Sequence, residues 1–284
     1  MNNECTLPPM HDPVAAAASG TNPGLSVYRL RVYTLGRFTI VCEGRPMSFG
    51  RKSPGKPLQL LKALIASGGR QVAVANLAEI LWPDKEGDLA QRAFEITLHR
   101  LRKHLGDDHY LLMEDGRLTL NSDLAWVDVW EFERQSTVLR GLLSRPVDRN
   151  AEVMVRAIGD RLMYMYQGHF LSREPSSSWS VSLEERIRSR FIHGMLALGR
   201  FWEERGLPEM AILCYEKGIV ADDLVETFYQ RLMTCLDMTG RQPEAIACYR
   251  QCRHVLSVVL GLQPAEETQH IYHSIISHRR LQAS

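Results

Sequence analysis

Residues Asp88–Leu105 read DLAQRAFEITLHRLRKHL, and a few residues later Tyr110–Leu120 read YLLMEDGRLTL. In the first segment Phe94, Leu98, Leu101 and Leu105 stand at offsets of 0, 4, 7 and 11, which predicts one apolar stripe along an α-helix. Asp88 is the candidate N-cap, and Leu105-Gly106 marks the end. At about 100° per residue, the face opposite the stripe carries Arg92, Ile96, His99 and Lys103, flanked by Arg100. Arg and Lys reach guanine edges or phosphates in a DNA major groove, and an apolar side chain meets a thymine methyl. A solvated basic face fits this helix equally well when it is taken alone.

The second segment favours the first of these readings. Its Asp115-Gly116 pair is the signal of a type I′ turn, so Tyr110–Glu114 and Arg117–Leu120 form a hairpin tipped by Arg117. Two further helices precede the basic one. Leu58, Leu61, Leu64 and Ile65 recur at helical spacing after Pro57 and stop at Gly68-Gly69. Leu77, Ile80 and Leu81 mark a shorter helix, with Asn76 as its candidate cap and Trp82-Pro83-Asp84 as its stop. Ahead of both, Tyr28–Leu35 and Phe38–Glu43 are β-rich runs broken at Gly36-Arg37. Their Leu30, Val32, Ile40 and Cys42 are spaced for one face of a small antiparallel sheet. Three helices with a basic last member, then a hairpin, give the layout of a winged helix-turn-helix. Its last helix enters the major groove and its wing touches backbone or minor groove.

One nearby motif points elsewhere and fails. Gly50–Pro57, GRKSPGKP, nearly spells the phosphate loop GxxxxGK followed by Ser or Thr. Pro57 stands where a hydroxyl would hold magnesium, and no buried parallel strand leads in, so a nucleotide site is rejected.

Taken in order, LRVYTLGRFTIVCEGRP, LLKALIASGGRQVAVANLAEILWPD and RAFEITLHRLRKHLGD resemble the DNA-binding domain of OmpR/PhoB-type regulators. The resemblance is closer to the version in bacterial transcriptional activators of the SARP class, and it covers residues 28–122. The run Leu101–Leu105, LRKHL, is the usual close of their recognition helix. In that class a basic Arg-Lys pair commonly precedes the first helix. The resemblance therefore makes Arg51, Lys52 and Lys56 candidates for DNA phosphate contacts, which position a protein without reading sequence.

The second half carries a repeat. Gly206, Ala211, Ile212, Cys214 and Tyr215 recur as Gly240, Ala245, Ile246, Cys248 and Tyr249, and Leu198 recurs as Leu232. The common offset of 34 is the period of the tetratricopeptide helix hairpin, whose Gly permits a tight turn and whose Ala lets two helices approach. Two units need flanking helices to complete a core, and the candidates are residues 129–143, 151–166, 179–205 and 266–278. Tyr164, Tyr166, Trp179, Trp202, Tyr215, Tyr229 and Tyr249 read as packing aromatics. Val127-Asp128-Val129 with Phe132-Glu133, Tyr166–Leu171, Glu226 near Arg231–Met233, and Leu260–Pro264 are similar to the bacterial transcriptional activator domain of the SARP class, over residues 125–277. Many longer members append an ATPase module. The sequence here ends at Ser284, so no nucleotide switch is expected.

Composition sets the remaining bounds. The 284 residues are ordinary for a soluble globule, and no run approaches the roughly 18 apolar residues of a membrane span. Residues 1–26 hold no Lys or Arg and so lack the basic region of a signal peptide, and their prolines and alanines suggest a disordered leader. Six cysteines without a paired CxxC suit a reducing cytoplasm. Cys248 and Cys252, one helical turn apart, read as core thiols and not zinc ligands; His270 and His273 lack ligand partners at metal spacing. The net charge of +1 conceals an uneven distribution: residues 27–122 hold 15 Lys and Arg against 10 Asp and Glu, and residues 123–284 hold 19 against 21.

The expectation is therefore a mostly α protein with a small β component. A leader occupies residues 1–27, a winged helix 28–122, and a tetratricopeptide-like helical domain 125–280. No catalytic residue, metal or cofactor is expected. The expected function is transcriptional regulation in the cytoplasm, with duplex promoter DNA as partner, no membrane, and activation implied by the resemblance alone. The helical domain would meet RNA polymerase, a second protomer or an effector. The rival is a tetratricopeptide-like adaptor whose winged helix does not read DNA, a role with no need of a basic outer face on the third helix.

Overall fold

The computed structural model describes residues 27–48, 55–85, 87–175 and 177–282. All but the last residue of the expected leader, together with Arg51 and Lys52, lie outside the described residues. The chain divides into two compact units, one comprising residues 1–131 with 170–183 and the other 132–169 with 184–284.

In the first unit β1 (Leu30–Tyr33) pairs antiparallel with β2 (Thr39–Cys42), which pairs with the short β3 (Arg45–Pro46). Gly36, with φ 102°, makes the break between the first two strands at the expected place. On the far side of β1 lies β7 (Ala125–Val127), in parallel register from Leu30 opposite Ala125 to Val32 opposite Val127. Leu30, Val32 and Ile40 are fully buried as their spacing predicts, but Val41 and most of Arg31 are buried on the other face as well.

Three helices follow: α1 (Gly55–Ala66), α2 (Val74–Leu81) and α3 (Gly87–Leu105), each packed on the other two. Leu58, Leu61, Leu64 and Ile65 of α1, Leu77 and Leu81 of α2, and Phe94, Leu98, Leu101 and Leu105 of α3 meet in one core. Gly106, at φ 81°, ends α3 with its N–H on the Arg102 carbonyl. The two expected caps differ from the sequence reading. Helix α2 begins two residues before Asn76, because the chain enters from β4 (Val72–Ala73) and the Val74 N–H is met by the Gly116 carbonyl. Asp88 lies within the first turn of α3, where a carboxylate favours the positive end of the helix dipole.

The wing is β5 (Leu111–Glu114) and β6 (Arg117–Leu120), with β4 pairing on β6. Asp115 and Gly116 have φ of 46° and 70°, the two left-handed residues that a type I′ turn demands. Residues beyond the wing then complete this unit. Phe170 bridges to Leu35, the Leu171 N–H reaches the Thr34 carbonyl, and Glu174 pairs with the buried Lys62 at 2.6 Å.

Helix α4 (Asp128–Leu143) opens in the first unit, and the unit boundary falls after Glu131. The second unit holds the rest of α4, with α5 (Arg149–Met165), α6 (Val181–Glu204, from Glu184), α7 (Pro208–Ala221), α8 (Glu226–Met238), α9 (Gln242–Leu260) and α10 (Glu266–Gln282). The repeat is physical. Gly206 and Gly240 are both left-handed, at φ 68° and 74°, and each ends a helix with one set of bonds. Gly206 N–H donates to the Glu203 carbonyl and Leu207 to Trp202; Gly240 donates to Asp237 and Arg241 to Leu236. Leu198 and Leu232, Ala211 and Ala245, and Tyr215 and Tyr249 are buried at equivalent places. Helix α10 closes the stack against α8 and α9; Glu226 accepts from the Ala265 N–H at 2.7 Å, and Tyr272 stacks on Tyr249 at 3.9 Å.

Candidate nucleic-acid interface

Helix α3 turns its apolar stripe into the first unit's core, and this fixes what faces outward. Arg92, Ile96, His99, Arg100 and Lys103 are all exposed, Ile96 to 55%. Among the described residues, none of the three cations nor His99 makes a hydrogen bond or ion pair within the protein. Their charges are not consumed by the fold. The contrast with Arg102 on the same helix is informative. Its guanidinium donates to the Leu111 carbonyl at 2.7 Å, so Arg102 ties α3 to the wing and leaves the outward set.

Sequence reasoning missed Leu89. It lies in the first turn of α3, is 65% exposed, and falls on the same outward face as Ile96, seven residues on. The same 100° projection that selected Ile96 selects Leu89 too.

The other candidates are placed as follows. Arg117 is exposed at the wing, with the terminal Nη1 of its guanidinium donating to the carbonyl of Gln71, the residue before β4, at 2.9 Å. Lys56 is exposed, but its Nζ donates to the Leu81 carbonyl at 2.7 Å and lies 5.8 Å from the Trp82 ring. It therefore closes the C-terminus of α2 at the turn into α3, a structural task the sequence did not signal. Arg70 is a further exposed cation beside the wing, bonded to Ser122 Oγ at 3.1 Å.

The remaining chemistry-bearing residues are structural. Burial pushes the Cys248 and Cys252 thiols up to about 12, so both are protonated core groups. Among the described residues no group of His, Cys, Asp and Glu could hold a metal ion, and no helix is long and apolar enough to cross a membrane. Tyr166, Trp202, Tyr215, Tyr229 and Tyr249 are buried, as packing requires, whereas Tyr164 is exposed.

Residues 127–276, more than half of the chain, match the bacterial transcriptional activator domain family. The chain belongs to that family. Its members are transcriptional regulators and not enzymes. Regulators of the SARP class are similar to this chain over most of its length. The regulatory protein AfsR of Streptomyces griseus is 25% identical over 79% of this chain, and the regulatory protein DnrI of Streptomyces peucetius is 25% identical over 78%. The transcriptional regulator RedD of Streptomyces coelicolor is 27% identical over 88%. The matches span 84% of DnrI and 73% of RedD but only 23% of AfsR. The fold has a solved counterpart in Mycobacterium tuberculosis EmbR, determined in complex with a low-affinity phosphopeptide. That chain is 18% identical with a TM-score of 0.60, covering 88% of this chain and 65% of its own. The likeness extends across the winged helix-turn-helix and the helical repeat.

Proposed function

We propose that this member of the bacterial transcriptional activator domain family binds duplex promoter DNA in a sequence-specific way through α3 and its wing, as a cytoplasmic activator. The observation that carries the proposal is the outward face of α3: Arg92, His99, Arg100 and Lys103 exposed without internal partners, with Ile96 among them. Base contacts of this kind discriminate by about 1–3 kcal/mol each, whereas phosphate contacts set salt-dependent affinity. Arg117 of the wing and the basic residues before and within α1, Arg51, Lys52 and Lys56, supply backbone contacts in this reading. The helical repeat meets RNA polymerase, a second protomer or an effector. The test is a gel-shift titration of the Arg100→Ala and Lys103→Ala variants on a selected duplex. Both substitutions are at exposed positions, so the circular dichroism spectrum stays that of the parent while affinity drops at least about fivefold, the lower end of one base contact. Unchanged affinity in both variants would remove α3 from the recognition role and leave the adaptor reading in its place.

A further inference from the structure

Two exposed aliphatic side chains lie on the outward face of α3 among its cations: Leu89 at 65% and Ile96 at 55% exposure. Scattered exposed apolar residues are ordinary on any surface, and neither alone would mean anything. Their placement is more specific. Seven residues advance a helix by about 10.5 Å and rotate it to within about 20° of its starting direction, so the two side chains project in register. Base pairs rise about 3.4 Å each along the duplex axis, and a helix in the groove is inclined to that axis, so about 10.5 Å spans roughly two to three steps. Arg92 lies between them, three residues after Leu89 and four before Ile96, on the same face. An aliphatic side chain offers nothing to a donor or acceptor on a base edge, and its favourable partner in the major groove is the C5-methyl of thymine.

We propose that Leu89 and Ile96 are specificity-determining residues that each cover one thymine methyl, the two methyls lying two or three base pairs apart and bracketing the position that Arg92 reads. This inference rests on the proposed DNA-binding role of α3 and adds to it which bases the helix selects.

The experiment uses the full chain and duplexes recovered by selection from a random pool. In a recovered duplex each thymine is replaced in turn by deoxyuridine, which keeps every hydrogen bond and removes only the methyl. Two positions, two or three base pairs apart, should each lose about fourfold in affinity on replacement, the scale of one buried methyl. With Leu89→Ala the sensitivity should vanish at one of these positions, and with Ile96→Ala at the other. Sequence-selective binding that is indifferent to deoxyuridine at every position would overturn the inference and leave the DNA-binding reading intact. Sensitivity unchanged in both variants would do the same. Failure to recover any preferred sequence would overturn both.

Discussion

Asp128 is the residue on which the first unit turns. Its carboxylate is wholly buried where β1 ends and α4 begins. It accepts from the backbone N–H of Thr34 at 2.7 Å, Leu35 at 2.8 Å and Val129 at 2.7 Å, and from the Thr34 hydroxyl at 2.6 Å. Burial pushes its carboxyl up from 3.8 to about 6, with the N–H donors pulling the other way. A carboxyl raised by folding holds a proton that the unfolded chain has already released. Its contribution to stability is therefore full below about pH 4 and is lost as the pH rises through 6. Asp128→Asn does not titrate, so the stability of the parent relative to this variant should fall by about 2–3 kcal/mol between pH 4 and 6.5 in urea unfolding. A difference that grows with pH would mean that the N–H donors outweigh burial. Asp128→Ala is the harsher change, because it strands three buried backbone donors. It should cost at least about 3 kcal/mol at any pH.

Among elements, the helix hairpins of the second unit separate what a repeat reveals from what only packing reveals. Gly240 is needed for its backbone alone: φ is 74° and nothing lies within 4 Å of where a Cβ would stand. Gly240→Ala should cost about 1 kcal/mol, the penalty of a left-handed L-residue. Gly218 has an ordinary helical backbone, yet an added Cβ would lie 2.2 Å from the Phe228 ring. That contact sets how closely α7 and α8 approach. Gly218→Ala must push the two helices apart, so it should lose about 1–3 kcal/mol and more than Gly240→Ala in the same thermal unfolding series. Equal losses would show that the ring simply swings aside. Gly206 and Gly240 were legible because one answers the other at the repeat period. Gly218 was not, since its repeat equivalent is Cys252 and its constraint comes from an aromatic on another helix. The caps follow the same logic. Asn76 and Asp88 have the right chemistry, but Val74 already finds its acceptor in the wing turn, a partner more than 40 residues away in sequence.

Over the whole molecule, what sequence made legible was local, and what it hid was long-range. The apolar stripe of α3, the Asp115-Gly116 turn and the repeat are periodicities or turn signals within short windows. The parallel pairing of β7 on β1 and the return of residues 170–183 to the first unit depend on segments that join across the chain, and three-residue strands leave no period to read. The same distinction applies to charge. A net charge of +1 predicts no general affinity for a polyanion, so any DNA binding must come from local concentration of cations, chiefly on the outer face of α3 and beside the wing. A plot of log affinity against log salt for the full chain on random duplex should be linear, with a slope near −4 if four or five phosphates are neutralised. Lys103→Ala should lower that slope by about 1 if Lys103 meets a phosphate, and should leave it unchanged if Lys103 reads a base. Arg70→Ala provides the wing's counterpart, because this cation stands apart from α3 and its loss reports on phosphate contact at the hairpin alone. A flat plot for the parent chain would mean that the cations remain solvated, and the exposed face of α3 would then belong to a protein-binding adaptor.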